Sequence, residues 1–275
     1  MVVTLTLEPP TELVWYLAYG SNLASSKFTR DRGIKPLAAV TIVAPGYTLA
    51  MEGAGLPYQE PSYATIRPLS RQRSNGEVEL LGTAYLITPA QYAQVIRSEG
   101  GGIAYKEASI RVIPVQTKDK EELEEIHWRK ESDIEEARTL IGLLTRTPAP
   151  TPSKRYMKLI IDGACESNYP LEYRQYLSRI PTYRPPTHPW AKLGAFLFLS
   201  LWAPIMSFME KLTKWSIKRA GDEDGNAPYV IVLLVRAVVR ALWWHHDYIH
   251  APLWGRGDGI KQFAEQLLLP NSESK

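Results

Sequence analysis

Two stretches carry residue types and spacing that could do chemistry. The first is Tyr16-Leu17-Ala18-Tyr19-Gly20-Ser21-Asn22-Leu23, an aromatic and apolar run that ends in Gly-Ser-Asn. Glycine lets the backbone approach a ligand closely. Successive N–H groups in such a turn form a nest for an anion, such as a carboxylate. The second is Glu99, directly before Gly100-Gly101-Gly102. A carboxylate at the C-terminal end of a helix is disfavoured by roughly 0.3–1 kcal/mol. That environment suits a group that takes and returns a proton near neutral pH. Neither stretch is specific alone. A Gly-Ser-Asn turn reads equally as a plain turn, and Glu99 as a solvated helix end.

The elements that must position these residues follow from local pattern. Val14 to Ala18 is a short strand entering the Gly20 turn. Further strand-like runs are Ala39 to Ala50, Tyr63 to Leu69, Val78 to Thr88 and Ala104 to Val115. In the last, Ser109 and Arg111 alternate with Ile110 and Val112, the period of a half-buried strand. Thr88 can cap a helix and Pro89 suits its first position. Ala90 to Ser98 then carry a short helix, stopped by Gly100 to Gly102. The stretch Thr117 to Glu136 is strongly charged and reads as a solvated insertion or exposed helix. Pro148-Ala149-Pro150-Thr151-Pro152 is a stiff linker. Ser153 caps an amphipathic helix with Tyr156, Leu159, Ile160 and Ala164 on one face. A second helix runs from Leu171 to Arg179, and Pro181, Pro185, Pro186 and Pro189 end that unit. Strands come early and helices late, which favours an α+β fold over alternating βαβ units.

Bulk properties remove several function classes. With 275 residues, 45% of them hydrophobic and 22% charged, the chain is ordinary globular protein rather than disordered. A net charge of +3, with no dense Lys/Arg run, gives no footprint for nucleic acid. The single cysteine, Cys165, cannot form an intramolecular disulfide or a paired-cysteine zinc site. Met1 to Pro10 has no basic n-region, so the expectation is a cytoplasmic protein.

Taken together the motifs resemble the γ-glutamyl cyclotransferase family. Tyr16 to Leu23 is similar to its opening signature, and Glu99-Gly100 followed by Tyr105 to its catalytic glutamate segment. Pro152-Ser153-Lys154-Arg155-Tyr156, Ile161-Asp162-Gly163-Ala164 and Leu171-Glu172-Tyr173 resemble its closing helical motif. The resemblance spans about Val14 to Pro181. It implies a small mixed β-barrel with flanking helices and a cavity at the Gly20 loop. It also implies Glu99 as proton acceptor, and substrate contacts from Tyr16, Leu17, Ala18, Tyr19, Gly20, Ser21, Asn22, Tyr105 and Tyr156. The implied reaction is attack of the substrate's α-amine on its own γ-carbonyl, releasing 5-oxoproline without metal or organic cofactor. The same comparison makes Ala137 to Leu144 a strand. A γ-glutamylamine cyclotransferase shares that ring closure. A non-catalytic, membrane-associated binding protein of the same fold is the reading outside enzymology.

The chain thereby divides into residues 1–12, a flexible N-terminus; 13–187, the catalytic domain; and 188–275, a hydrophobic helical C-terminal extension. Leu193 to Met209 is uncharged and apolar, and Tyr229 to Trp244 is apolar except for Arg236 and Arg240. Packed helices, a membrane-surface helix and a true span compete here, and the two arginines make the second run a poor span. The tail resembles that of fungal cyclotransferases, some of which serve gliotoxin-type toxin pathways. That resemblance suggests a glutathione conjugate as substrate. Trp190, Trp202, Trp215, Trp243 and Trp244 either widen or cover the pocket for it, or are core. His246 and His250 stand at i, i+4, a spacing that can bind metal but reads better as a structural pair. Cys165 has no basic neighbour in sequence to make it a thiolate. Ser21 lacks the nucleophile-elbow pattern. The sequence fixes no oligomeric state.

Overall fold

The computed structural model describes residues 12–70, 77–115, 134–221 and 224–260. The N-terminal tail to residue 11 and most of the charged stretch, at 116–133, lie outside these.

Six strands form one sheet: β1 (Val14–Ala18), β2 (Ala38–Ala44), β5 (Leu80–Ile87), β6 (Tyr105–Arg111), β7 (Ile113–Pro114) and β8 (Glu136–Gly142). Their order is β6-β8-β1-β5-β2-β7. Only Val112 separates β6 from β7, so one bent segment pairs with β8 on one side and with β2 on the other. The sheet therefore closes on itself, which removes its edges. At the bend the Val112 N–H donates to the Glu135 carbonyl at 2.9 Å, and the Val115 N–H to that of Thr41 at 2.8 Å. β1 runs parallel to β8 and antiparallel to β5, which makes the barrel mixed. Leu17, Ile42, Leu80 and Ile87 are fully buried in its core.

The apolar run Ala39 to Ala50 is two strands rather than one. It turns at Pro45-Gly46, where Gly46 has φ +78°, into β3 (Tyr47–Leu56). β3 pairs with β4 (Glu60–Pro68) in a separate hairpin that packs on β8.

The helices begin where the sequence places their caps. α1 (Pro89–Ser98) opens with a full capping box between Thr88 and Gln91. It stops at three successive positive-φ glycines, Gly100 to Gly102. α2 (Lys154–Glu166) is capped by the Ser153 side chain, which accepts from the Tyr156 N–H. α3 (Leu171–Arg179) follows on it. α2 packs on the turn Ser21–Leu23, and Gly163 makes the approach possible. A Cβ there would stand 2.5 Å from the Leu23 carbonyl carbon and 2.6 Å from the Ala24 nitrogen.

Pro189 does not end the preceding unit. It is the first residue of α4 (Pro189–Ala220), whose cap is the His188 side chain. A proline missing its N–H is suited to that position. α4 ends at Gly221 in the left-handed conformation. α5 (Tyr229–His245) and, after a π-helical turn at His246–His250, α6 (Ala251–Trp254) follow. These helices form a second apolar cluster that includes Phe198, Met209, Val235, Leu242 and Trp243, joined by Tyr58 and Ile103 from the strand region.

Polar contacts fasten the tail to the barrel. The Trp243 indole donates to the Gly55 carbonyl at 3.1 Å, and the Tyr58 N–H to that of Gly257 at 2.7 Å. Arg146 pairs with Asp247, and Arg256 bridges Asp247 at 2.8 Å and Asp258 at 2.5 Å.

Gly163→Ala should drive α2 off the Ser21–Leu23 turn and cost about 1–3 kcal/mol, as overpacking does. A thermal or denaturant melt measures this, and an unchanged midpoint would contradict the close approach.

Candidate active site

β1 delivers Tyr16 and Tyr19 to one end of the barrel, and Gly20 turns the chain into the short 3-10 turn Ser21–Leu23. The first amides of any helical turn are left unused by it. α1 brings Glu99 to the same place, β6 brings Tyr105, and α2 brings Tyr156. Tyr16, Tyr19, Gly20, Ser21, Asn22, Glu99, Tyr105 and Tyr156 line one small cavity, with Ala64 and Leu140. Glu99 is the one carboxylate in that lining.

Glu99 is held by two donors on the same oxygen. The Asn22 amide donates to Oε1 at 3.0 Å and the Arg32 guanidinium at 2.6 Å. Asn22 also donates to the Tyr16 hydroxyl oxygen at 2.9 Å, so loop, strand and helix end are tied through one amide. This arrangement fixes which way the amide points, because its carbonyl would repel the carboxylate. The other end of the amide, Oδ1, is buried without a partner among the described residues.

The tyrosines are fixed in turn. Tyr19 donates to the Leu140 carbonyl, Tyr105 donates to that of Ala64 at 3.2 Å, and the Tyr156 oxygen accepts from the Ala64 N–H at 3.1 Å. Burial, with the Glu99 charge adding to it, raises the pKa of Tyr16, Tyr19, Tyr105 and Tyr156. All four therefore remain neutral hydroxyls at physiological pH. A Cβ on Gly20 would lie 3.2 Å from the Tyr156 oxygen, so the bare backbone at that position keeps the mouth of the site open.

Two of the expected substrate contacts lie elsewhere. Leu17 and Ala18 are in the barrel wall: Leu17 is fully buried against Gly82, and neither lines the cavity. The strand's alternation puts Tyr16 and its neighbour on opposite faces. Arg32, conversely, escaped the sequence reading. It lies in the stretch Thr29-Arg30-Asp31-Arg32, where its near neighbour Arg30 is a solvated surface residue. Only the π-helical turn Ser26–Asp31 swings Arg32 back to the end of α1, where it also bonds Ser98.

The other sequence candidates have structural roles. His246 bonds Asp247 at 2.9 Å through Nδ1, and its Nε2 accepts from the Gly257 N–H at 3.1 Å. His250 bonds the Gly194 carbonyl at 2.9 Å. The ligand-type cluster His246, Asp247 and Asp258 is already threaded by Arg146 and Arg256. Cys165 is exposed on α2, outside the cavity. Of the tail tryptophans named above, Trp243 is core, whereas Trp190, Trp215 and Trp244 are exposed, and none lines the cavity.

Known proteins carry the same organisation. A family model described as the AclK C-terminal domain matches residues 188–253. A γ-glutamyl cyclotransferase of Aspergillus oryzae, aclK, is 43% identical over 93% of this chain and 93% of its own length. This chain belongs to the γ-glutamyl cyclotransferase family. A second member, gliK of Aspergillus fumigatus, is 35% identical over 94% of each chain. The Claviceps purpurea gliK is 32% identical over 86% of this chain and all of its own. The cyclotransferase likeness thus runs through the helical tail as well as the barrel.

Replacing Asn22 tests the donor geometry around Glu99. Asn22→Asp sets two carboxylates together and should be about 1–3 kcal/mol less stable than Asn22→Ala at pH 7. The gap should shrink on acidification, as protonation relieves the repulsion. Equal melting temperatures for the two variants at pH 7 would contradict the arrangement.

Proposed function

We propose that the protein is a γ-glutamyl cyclotransferase in which Glu99 carries the proton. The observation that supports this best is Glu99 as the single carboxylate of a tyrosine-lined cavity, fixed by Asn22 and Arg32. The substrate's α-ammonium must lose a proton before it can attack. Glu99 takes that proton, and the amine nitrogen then bonds to the γ-carbonyl carbon. The tetrahedral oxyanion collapses and the bond to the leaving amine breaks as Glu99 returns the proton to that amine. The ring nitrogen, which still carries one proton more than the lactam, then gives it up to Glu99 and from there to solvent. Products are 5-oxoproline and a free amine or peptide.

Both reactants belong to one molecule, so the site has mainly to hold the folded conformer. The unpartnered Asn22 Oδ1 suits the α-ammonium: a buried acceptor left bare costs about 1–3 kcal/mol, which a bound N–H recovers. The Gly20 turn amides suit a carboxylate or the developing oxyanion. Neutral tyrosine hydroxyls supply hydrogen bonds without competing for the proton. A glutathione conjugate, as in epipolythiodioxopiperazine toxin biosynthesis, is the substrate class we favour over a glutamyl-lysine link.

Glu99→Gln should abolish 5-oxoproline release from γ-glutamyl dipeptides, glutathione and glutathione conjugates while keeping the melting temperature. An unchanged rate would remove Glu99 from the mechanism. Release from γ-glutamyl-lysine alone would favour the γ-glutamylamine reading.

A second reading concerns where the enzyme works. We propose that α4 and α5 rest on an anionic lipid surface. α4 is apolar all round from Leu193 to Met209, yet only one side of it packs. Phe196, Leu201 and Phe208 are each at least half exposed on the other, and Tyr229, Val230 and Trp244 project from α5. α4 and the continuous helical stretch Tyr229–Trp254, which begins with α5, are long and apolar enough to cross a bilayer, but the exposed Arg240 within α5 suits a surface position better. Lys211, Lys218 and Arg219 complement acidic headgroups. The protein should co-sediment with phosphatidylserine–phosphatidylcholine vesicles, and Phe196→Glu with Phe208→Glu should release it. Sedimentation that is unaffected by the double variant, or absent altogether, would overturn this reading.

A further inference from the structure

A second chamber of about 250 Å³ adjoins the catalytic cavity. Glu99, Tyr105 and Leu140 line both. Its far wall comes from the tail: Asn226 before α5, and Arg236 on α5. Any group that leaves the γ-carbonyl must sit beside Glu99, which returns the proton to it. The chamber is the space next to Glu99 that is large enough for such a group.

The charges around it are unequal in a useful way. Glu99 is already paired with Arg32. The two exposed β6 residues at the rim, Lys106 and Glu107, carry opposite charges. Arg236 remains. It is half-buried and pinned, with Nε donating to the Ile103 carbonyl and Nη2 to the Gly102 carbonyl, both at 2.9 Å. No carboxylate among the described residues lies in ion-pair range of it. A cation partly withdrawn from water, with a fixed orientation and no counter-charge, is a site for an anion. Ile96, Leu140 and Leu143 make the rest of the chamber apolar.

We propose that this chamber is the leaving-group subsite, and that Arg236 receives a carboxylate carried by the leaving amine. The preferred leaving group is then a peptide-like amine with an apolar body and a free C-terminal carboxylate. The assignment rests on the cyclotransferase reading above. It gives the tail a part in choosing the substrate, through Arg236 rather than through its tryptophans.

The test compares a γ-glutamyl dipeptide with its C-terminal amide, in the full-length protein. Wild type should prefer the free acid. Arg236→Met should lower kcat/KM for the acid about 10–100-fold, mainly through KM, the range expected for a charge-assisted bond. Its effect on the amide should be under about threefold, and Arg236→Lys should restore part of the preference. Because Arg236 also holds the Gly102 loop, an equal loss on both substrates would mean a purely structural role and overturn the proposal. So would no loss on either. A second measurement needs no turnover: the acid should bind Glu99→Gln protein more tightly than the amide, and Arg236→Met should erase that difference. Persistence of the difference would overturn the proposal. Wild type that releases 5-oxoproline from neither compound would instead sink the cyclotransferase reading, and this subsite with it.

Discussion

One carboxylate at the end of a helix organises this protein. Glu99 stands where the dipole of α1 opposes a negative charge, inside a cavity whose other polar walls are neutral: four tyrosines, Ser21 and Asn22. It stays there because Arg32 and Asn22 both donate to Oε1. Those two donors come from different segments, so the geometry demands that the Gly20 turn, the π-helical turn after it and α1 all meet. Much of the catalytic half can be read as machinery for that meeting. α2 presses on the turn through Gly163, β1 sets the tyrosines, and the capping box starts α1 where its C-terminal cap falls on Glu99.

The barrel that carries these parts is closed by an economical device. A single segment, Tyr105 to Pro114, bends at Val112 and pairs with both edges of the sheet. The segment also supplies Tyr105 to the site. Closure and site construction therefore share the same backbone, and a slip of one residue in β6 would turn Tyr105 out of the cavity.

The strand and helix content was legible in the sequence because its signals are local. Thr88-Pro89, the triple glycine and Ser153 act within a turn of where they stand. The Tyr16–Asn22 motif and Glu99 were legible together, though not separately, and most of their residues do share one cavity. What stayed hidden was long-range. Arg32 looks like any surface arginine until a turn folds it back 67 residues away in sequence. Leu17 neighbours Tyr16 in the motif, yet a strand shows alternate residues to alternate faces, and the Leu17 side chain lies against Gly82. Pro189 looked like a stop because proline both ends and begins helices, and only the His188 cap decides which. The tryptophans divided between core and surface according to helix phase, which composition does not carry.

The triple glycine after Glu99 has a further meaning. Gly101 lies so close to the segment before α5 that a side chain would collide with the Ala227 backbone, and the Ala227 N–H closes on the Gly101 carbonyl at 2.9 Å. Arg236 grips the next two carbonyls. The tail is thus latched to the loop that directly follows Glu99. A tilt of α5 would bear on the three peptide units after that carboxylate, so barrel and appendage share one stretch of backbone.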